Sequence, residues 1–279
     1  MSSTLDVSII IPCFNDGATI WDAVASARSE HPGEIIVVND GSDDTGTLEA
    51  LRGLSASNVT VIHQSNVGPA GARTRGLRAA TREFVFNLDA DDMFVPGALG
   101  SLVSALDADP GLAAAWGDHE LFGAAQRRCV PRGRALDPWR ITFVNEVGMS
   151  ALFRRTELID IGGWTSSDLY EDWDLWMDMA ERGLRGTNIG SSAIRYRTTS
   201  APRRTDAATK QHAQTRRRMR RRHRDLFARR RESRRQSPSR RSLKVAWTAI
   251  DAVPMPGAPR RYLLHAALLV CEPQARPRK

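Results

Sequence analysis

The sequence has 279 residues, three cysteines and a formal net charge of +8. This length is enough for one substantial hydrophobic core with some chain left over. The cysteines, Cys13, Cys129 and Cys271, are odd in number and lie in no metal-binding or redox motif, which argues against a disulfide framework and structural zinc and favours a reducing compartment.

The apolar segments near the two ends predict neither export nor membrane insertion. Before Val7–Ile11 there is only a short polar lead, without the positive and long apolar regions of an export signal. The apolar runs Leu243–Val253 and Tyr262–Cys271 are shorter than the roughly 20 residues of a spanning helix. We therefore expect a cytoplasmic protein.

The charge is distributed very unevenly. Residues 203–241 hold sixteen arginines and one lysine against three acids, a local net charge of +14. Residues 242–279 add +4, so residues 1–202 carry −10. The sequence predicts an acidic body followed by a basic extension.

Short β-branched runs alternate with amphipathic segments in the first half. Ala18–Arg28 and Pro69–Ala80 have helical spacing, and Pro69 occupies a first-turn position that tolerates its missing N–H. Four runs are typical of buried strands: Val7–Ile11, Glu34–Val38, Val59–His63 and Phe84–Leu88. This alternation predicts a three-layer, Rossmann-like α/β fold, with a mostly parallel central sheet and helices on both faces.

The second half is less regular. Ala113–Trp116, Met149–Phe153 and Ile194–Tyr196 are further candidate strands, and Glu171–Arg182 has the pattern of a helix. After Pro202 the composition changes, so we predict a catalytic domain over residues 1–202 and an Arg-rich extension over 203–279. Because Arg203–Arg241 has few apolar residues, we expect it to be a solvated helix or disordered until bound.

An acidic cluster, Asp89-Ala90-Asp91-Asp92, follows the fourth predicted strand. Open α/β sheets place their ligands at the carboxyl ends of strands. Clustered carboxylates suit a hard divalent ion such as Mg²⁺ or Mn²⁺, which bridges to substrate phosphates. The alternative is an Asp-rich turn that caps the following helix.

Polar residues also follow the second and third predicted strands. Asp40 is placed to accept hydrogen bonds from a base or ribose, whereas Asp44 is better suited to cap the next helix. Asn66 and Gly68 precede the Pro69 helix, whose free N–H groups suit a diphosphate. Together these strand ends favour a nucleotide pocket, with Pro12 and Phe14 as walls for the base.

Two acids, Glu171 and Asp172, open the predicted helix that follows Gly162-Gly163-Trp164. Acids in a first turn complement the helix dipole, which is the simpler interpretation. The alternative is catalytic, because a carboxylate held among the rings of Trp173 and Trp176 is a stronger base for a hydroxyl group. These rings either face a sugar or pack in the core.

The order and spacing of these motifs resemble the family 2 glycosyltransferases with the GT-A fold, over roughly residues 5–200. The resemblance implies an inverting, metal-dependent transferase that uses a nucleotide sugar, most often a UDP-sugar. It implies that Asp172 is the catalytic base and Asp91 the metal ligand, with Asp92, Glu171 and Trp173 as further candidates. The donor-binding residues that it implies are Pro12, Phe14, Asp40, Asn66, Gly68, Arg73 and Asp89.

Several positions depart from the family pattern. Asn39, Thr74 and Asp178 replace a frequent aspartate, asparagine and arginine, respectively. Thr199 stands where a histidine often approaches the metal. Gln214–Arg218 matches the Gln-x-x-Arg-Trp motif of processive synthases only in part, because Arg218 replaces tryptophan, so we predict transfer of a single sugar.

The basic extension indicates an anionic partner. It lacks the interleaved aromatic residues that stack on bases, which makes nucleic acid a poor fit. Arginines beside apolar residues suit an anionic membrane, so we expect peripheral contact through residues 203–250 and a saccharide or lipid-linked acceptor. Two other functions stay open: a nucleotidyltransferase, and an inactive module that binds nucleic acid through the extension.

Overall fold

A computed structural model describes residues 4–125, 128–165, 170–199, 204–253 and 257–275. In these ranges nine strands form one sheet. The strands are β1 (Leu5–Cys13), β2 (Pro32–Asp40), β3 (Thr60–Gln64), β4 (Phe84–Asn87), β5 (Met93–Phe94), β6 (Leu112–Gly123), β7 (Arg128–Val130), β8 (Leu152–Arg154) and β9 (Arg185–Thr198).

The sheet has a parallel half and a mixed half. Its order is β3-β2-β1-β4-β8-β6-β9-β5, with β7 paired to β6. Strands β3, β2, β1 and β4 are parallel, whereas β8 runs antiparallel to both β4 and β6. The parallel half brings the carboxyl ends of β1, β2, β3 and β4 to one edge, where the predicted site residues follow.

Helices cover both faces of the sheet. They are α1 (Ile20–Ser29), α2 (Thr45–Ser55), α3 (Pro69–Ala79), α4 (Ala98–Ala108), α5 (Arg155–Asp160), α6 (Glu171–Glu181), α7 (Arg204–Arg222), α8 (Arg224–Ala228), α9 (Arg230–Gln236), α10 (Arg241–Ala252) and α11 (Gly257–Cys271). Alternate residues of β1 pack against the helices on opposite faces of the sheet. Ile9 and Ile11 pack with α1 and α2, whereas Ile10 packs with α3.

The predicted elements are confirmed, with differences in the second half. The segments expected at 113–116 and 194–196 belong to much longer strands, β6 and β9, which pair in parallel. Their length was hidden because β6 continues through the buried polar residues Asp118 and His119. The strand predicted at Met149–Phe153 corresponds to β8, which begins later, at Leu152.

Of the two alternatives for residues 203–241, the helix is confirmed in the described part, but the helices are not solvated on all sides. This segment folds into helices that pack on the acidic body, with Met219 and Leu226 buried in the same apolar cluster as Trp173. Arg216 lies over the Trp173 ring at 5.8 Å. A few apolar residues suffice because the body supplies the other side of the core, and arginine stems cover apolar surface.

The last two helices form a third apolar cluster with the segment before β8. Leu243, Trp247 and Leu264 pack against Trp139 and Phe143, and Leu268 completes the cluster. The C-terminal helices are therefore attached to residues 139–144, in the segment between β7 and β8. None of the helices in the described ranges has the length and apolar character needed to cross a membrane.

Candidate active site

Arg73 of α3 joins the acidic cluster to the start of α6. Its buried guanidinium donates to Asn87 Oδ1 at 3.1 Å, to Asp89 Oδ1 at 2.9 Å and to Glu171 Oε1 at 2.9 Å. The planar fork of arginine suits three acceptors in fixed directions. This ion-pair chain places the predicted donor and metal acids in the same site as the predicted base.

Asp16 adds a third carboxylate to the cluster of Asp89 and Asp91. Burial raises the pKa of Asp16 to about 6; a hydrogen bond from the Phe14 N–H opposes this, and the negative charges of Asp91, Asp89 and Asp44 raise it further. The side chains of Asp89 and Asp91 are partly exposed. Carboxylates that repel one another at an accessible edge fit a hard divalent cation, so these residues suit Mg²⁺ or Mn²⁺.

Arg197 holds the end of the acidic cluster in place. Its backbone N–H donates to Asp92 Oδ1 at 2.9 Å, and its guanidinium donates to the Asp91 carbonyl oxygen at 2.8 Å and to Asp22 at 2.9 Å. Asp92 is buried, so its contact is one that positions the loop. Thr199, two residues later, is exposed.

Asp40 shapes the loop that precedes α3. Its two oxygens accept hydrogen bonds from the Gln64 side chain and from the N–H groups of Val67 and Gly68, at 2.8 to 3.0 Å. Gly68 has φ +85°, a conformation that favours glycine, and it leads directly into Pro69. Asp40 therefore orients this loop, and its contact with a base or ribose stays a prediction.

The remaining predicted donor residues line the same edge. Pro12 is buried at the end of β1, Phe14 is 46% exposed and Asn66 is exposed. An exposed aromatic ring at the end of a parallel strand suits a nucleotide base. The capping role expected for Asp44 is confirmed, because Asp44 Oδ1 accepts from Thr47 N–H at 2.8 Å at the start of α2.

Asp172 is a partly buried carboxylate with a raised pKa. Burial, followed by the charge of Glu171, raises the pKa of Asp172 to about 6, and a hydrogen bond from Trp173 N–H opposes this. Asn145 donates from Nδ2 to Asp172 Oδ2 at 2.7 Å, while Asn145 Oδ1 accepts from Val147 and Gly148 N–H. Asp172 is therefore ionised near neutral pH, basic for an aspartate, and fixed in direction.

The two tryptophans of α6 are core residues. Trp173 is 4% exposed and donates to the Ile141 carbonyl oxygen, and Trp176 is 1% exposed and donates to the Gly148 carbonyl oxygen. Their rings have no exposed face to offer a sugar, so of the two alternatives for these tryptophans the structure supports packing in the core. Both instead anchor residues 141–148 beside the predicted base.

His119 and Arg132 form a second polar pair beside the base. Arg132 lies 2.7 Å from His119 Nδ1, and burial, followed by the charge of Arg132, holds the pKa of His119 well below its usual range. His119 is therefore neutral and accepts at Nδ1. The positive charge of Arg132 lowers the pKa of Asp172, so Arg132 lies close to the predicted base.

One three-residue group among the described residues brings metal-ligand atoms within 4.8 Å of one another: Asp178, Glu181 and His223. It lies farther along α6, where His223 already bridges Asp174 and Glu181. Arg222 pairs with Asp174 and Asp178. This network joins α6 to the extension and is satisfied by its own ion pairs.

Sequence reasoning missed several residues of this site. Asp16 had a signal, since Asn15-Asp16-Gly17 follows the first predicted strand. Asn145, Arg132, His119 and Arg197 had none, because each meets the site through contacts distant in sequence. Loops and the mixed half of the sheet supply them.

Comparisons with known proteins identify the family. The sequence model of glycosyl transferase family 2 matches residues 8–160. Poly-beta-1,6-N-acetyl-D-glucosamine synthase of Staphylococcus aureus (strain COL) is 27% identical over 197 residues, covering 64% of this chain and 47% of the synthase. The synthase of Staphylococcus epidermidis is 28% identical over 184 residues, 60% of this chain and 43% of its own length. The chain thus spans about half the length of these relatives.

Solved structures share the fold. S. aureus TarS 1-349 in complex with UDP-GlcNAc superposes with a TM-score of 0.61 at 18% identity, over 95% of this chain and 72% of TarS. Mannosyltransferase PcManGT from Pyrobaculum calidifontis, in complex with GDP-Man and Mn²⁺, gives a TM-score of 0.55 at 21% identity, over 98% of this chain and 72% of the other. The predicted GT-A fold is confirmed, and the chain belongs to glycosyl transferase family 2.

Proposed function

We propose that this protein transfers a single sugar from a nucleotide-sugar donor to an acceptor hydroxyl, with inversion at the anomeric carbon. The observation that supports this most directly is the ion-pair chain from Asp89 through Arg73 to Glu171. Through Glu171, the chain links Asp89 of the proposed metal and diphosphate site to its neighbour Asp172, the proposed base, whose raised pKa suits proton transfer from a hydroxyl.

In the proposed in-line displacement, each of these residues has a separate role. Asp172 accepts the proton of the acceptor hydroxyl as that oxygen attacks the anomeric carbon, and the nucleoside diphosphate leaves from the opposite side. Asp16, Asp89 and Asp91 would hold a divalent cation, with Asp91 as the principal candidate ligand. A bound Mg²⁺ or Mn²⁺ supplies charge neutralisation for the leaving diphosphate. Phe14 and Pro12 wall the base, and the loop around Gly68 approaches the phosphates.

A UDP-sugar is the proposed donor. TarS is described with UDP-GlcNAc, and the curated relatives make poly-beta-1,6-N-acetyl-D-glucosamine. UDP-GlcNAc is therefore the first donor to test, and GDP-Man, which PcManGT binds, is the second. The acceptor is a saccharide or lipid-linked molecule of cell-envelope polysaccharide, glycolipid or other glycan biosynthesis.

Single-sugar transfer is proposed because the motif of processive synthases is incomplete. At its place Thr215 is buried, Arg216 lies over the Trp173 ring, and Arg218, which replaces the tryptophan, is exposed. An exposed arginine cannot pack as a ring would over a growing polymer. The positions of this segment thus support release of the product after one addition.

Release of nucleoside diphosphate from a panel of nucleotide sugars, with Mn²⁺, with Mg²⁺ and with chelator, tests the proposal. We expect metal-dependent release of UDP that Asp91→Asn abolishes. Asp172→Asn should keep donor affinity, measured by calorimetry, while transfer falls by about 10²–10⁴-fold.

The same experiment separates the alternatives. A nucleotidyltransferase would release pyrophosphate from a nucleoside triphosphate, and an inactive module would release nothing. Equal loss of donor binding and transfer in Asp172→Asn would contradict its role as the base. Glu49→Gln, an exposed acid on α2, is the control that should match the unaltered protein in both measurements.

A further inference from the structure

A cavity of about 640 Å³ lies between residues 128–146 and the C-terminal extension. One wall comes from the segment after β7, and the other from residues 233–240 and from the end of α11 with the residues after it. The extension therefore builds part of a concave site on the catalytic body. A volume of this size suits a small ligand or one unit of a larger one.

This cavity is linked to the proposed base through a shared residue. Asn145 lines it and also donates to Asp172 Oδ2 at 2.7 Å. Arg132 lines it as well, and its positive charge acts on Asp172. A hydroxyl activated by Asp172 thus has the rest of its molecule next to this cavity.

The acidic residues of the cavity wall are already engaged. Glu146 and Glu272 both form ion pairs with Arg140. Asp137 accepts hydrogen bonds from the N–H groups of Trp139 and Arg140 and from the Ser237 hydroxyl. Among the described residues, none of these carboxylates forms an ion pair with another arginine of the wall.

Four arginines in the wall are left to contribute positive charge: Arg128, Arg132, Arg134 and Arg240. Arg132 contacts His119, which is neutral, and its buried Nε has no hydrogen-bond acceptor among the residues that the structure describes. A buried donor without an acceptor is costly, and an anionic ligand removes that cost. Guanidinium groups bind phosphate and carboxylate oxygens in paired hydrogen bonds.

We propose that this cavity binds the acceptor, and that the acceptor carries an oxyanion, a phosphate or a carboxylate, near the hydroxyl that receives the sugar. The inference rests on the proposed transfer reaction, since it is Asp172 as the base that gives the cavity its role. It makes the C-terminal extension part of the acceptor site and gives Arg128, Arg134 and Arg240 the task of selecting anionic acceptors.

Three matched acceptors test this: a p-nitrophenyl β-glucoside, its 6-phosphate and the corresponding β-glucuronide. Their binding to the full-length protein is measured by calorimetry in the presence of UDP and Mn²⁺, and transfer is measured as stimulated UDP release from UDP-GlcNAc. We expect the phosphate, the uronate or both to bind at least about ten-fold more tightly than the neutral glycoside. The two anionic arms tell phosphate from carboxylate recognition.

The variant with Arg128→Gln, Arg134→Gln and Arg240→Gln should lose this preference. Its control, with Arg231→Gln, Arg235→Gln and Arg241→Gln, removes the same charge from exposed residues outside the cavity wall and should keep it. The inference is overturned if the three glycosides bind with equal affinity or if none of them binds. It is also overturned if the two variants lose the preference for anionic glycosides equally. Calorimetry measures acceptor binding without turnover, so it tests the cavity independently of catalysis. If the proposed transfer function is wrong, UDP release will be absent with every donor and acceptor.

Discussion

Asn145 and Asp172 show how a single hydrogen bond tunes the candidate base. The Asn145 amide is oriented by two backbone N–H groups that donate to its oxygen, so its NH₂ group faces Asp172 Oδ2. A donor to a carboxylate stabilises the ionised form and opposes the effect of burial. Asn145 is thus a positioning residue that keeps Asp172 ionised and aimed.

We predict that Asn145→Ala raises the pKa of Asp172 above its value of about 6. An acid that serves as a base works only when deprotonated, so kcat/KM should rise with pH through about 6 in the unaltered protein. In the variant this rise should move to higher pH, and the plateau should fall about ten-fold because the carboxylate loses its fixed direction. The pH profile of UDP release in a transfer assay measures both effects.

A control distinguishes this from general damage. Gln214→Ala removes an exposed amide from α7 and should leave the profile unchanged. An Asn145→Ala profile that keeps its rise near pH 6 and only loses height would show that Asn145 acts through loop structure alone.

The sequence predicted those site residues whose role follows from position in a strand–turn–helix pattern. Asp89, Asp91 and Asp172 are of this kind, because a strand end and a helix start are both visible as patterns. Asn145 and Arg132 could not be found, since residues 131–151 form no strand or α-helix, and their contacts with Asp172 and His119 depend on how the chain returns in space.

At the scale of elements, the parallel half of the sheet was predictable and the mixed half only in fragments. Strands β1 and β2 are runs of β-branched residues buried on both faces, which is a strong local signal. Strand β6 carries the buried Asp118, which accepts from Arg132 N–H and from Asn188. Polar groups satisfied by distant partners break the apolar pattern without breaking the strand.

The contact of α6 with the extension depends on a buried histidine. His223 Nε2 lies 2.9 Å from Asp174 Oδ1, and its Nδ1 lies 3.1 Å from Glu181 Oε2. Burial lowers the pKa of His223, but the hydrogen bonds with Asp174 and Glu181 and the negative charges of Asp174 and Asp178 outweigh it, so the pKa is raised. Both ring nitrogens then donate, and the imidazolium joins the two segments.

We predict that this contact weakens as the pH rises. A raised pKa in the folded state contributes stability that is fully present below the unfolded value of about 6.5 and is lost as the pH rises through the folded value. His223→Gln should destabilise the protein by about 3 kcal/mol at pH 6, because it leaves buried carboxylates short of a positive partner, and by less at pH 9. Thermal denaturation of both proteins at the two pH values measures the difference.

His265→Gln, an exposed histidine of α11, should show neither effect. If the stability difference between His223→Gln and the unaltered protein is the same at both pH values, His223 is neutral in the folded protein and the expected linkage is wrong.

At the scale of the whole molecule, the acidic and basic parts of the sequence correspond to different parts of the structure. The acidic body contains the candidate donor site, whereas the helices of the extension carry exposed arginines such as Arg217, Arg221 and Arg224. Helix α11 packs beside α7 and exposes Tyr262 and Val270, at 75% and 72%. Basic and exposed apolar side chains on neighbouring helices are typical of a surface that lies on an anionic membrane.

We predict peripheral binding of the full-length protein to anionic vesicles through residues 203–250. In flotation experiments it should rise with phosphatidylglycerol vesicles and stay behind with phosphatidylcholine vesicles, and salt should weaken the binding because exposed charges are screened. Each arginine near the surface contributes about 1 kcal/mol, so replacing Arg217, Arg221 and Arg224 with glutamine should reduce partitioning about 100-fold.

The same replacement at Arg52, Arg75 and Arg78, exposed on the catalytic body, should reduce partitioning little. A full-length protein that does not float with anionic vesicles, or equal losses in the two variants, would show that the extension is not a membrane-binding surface.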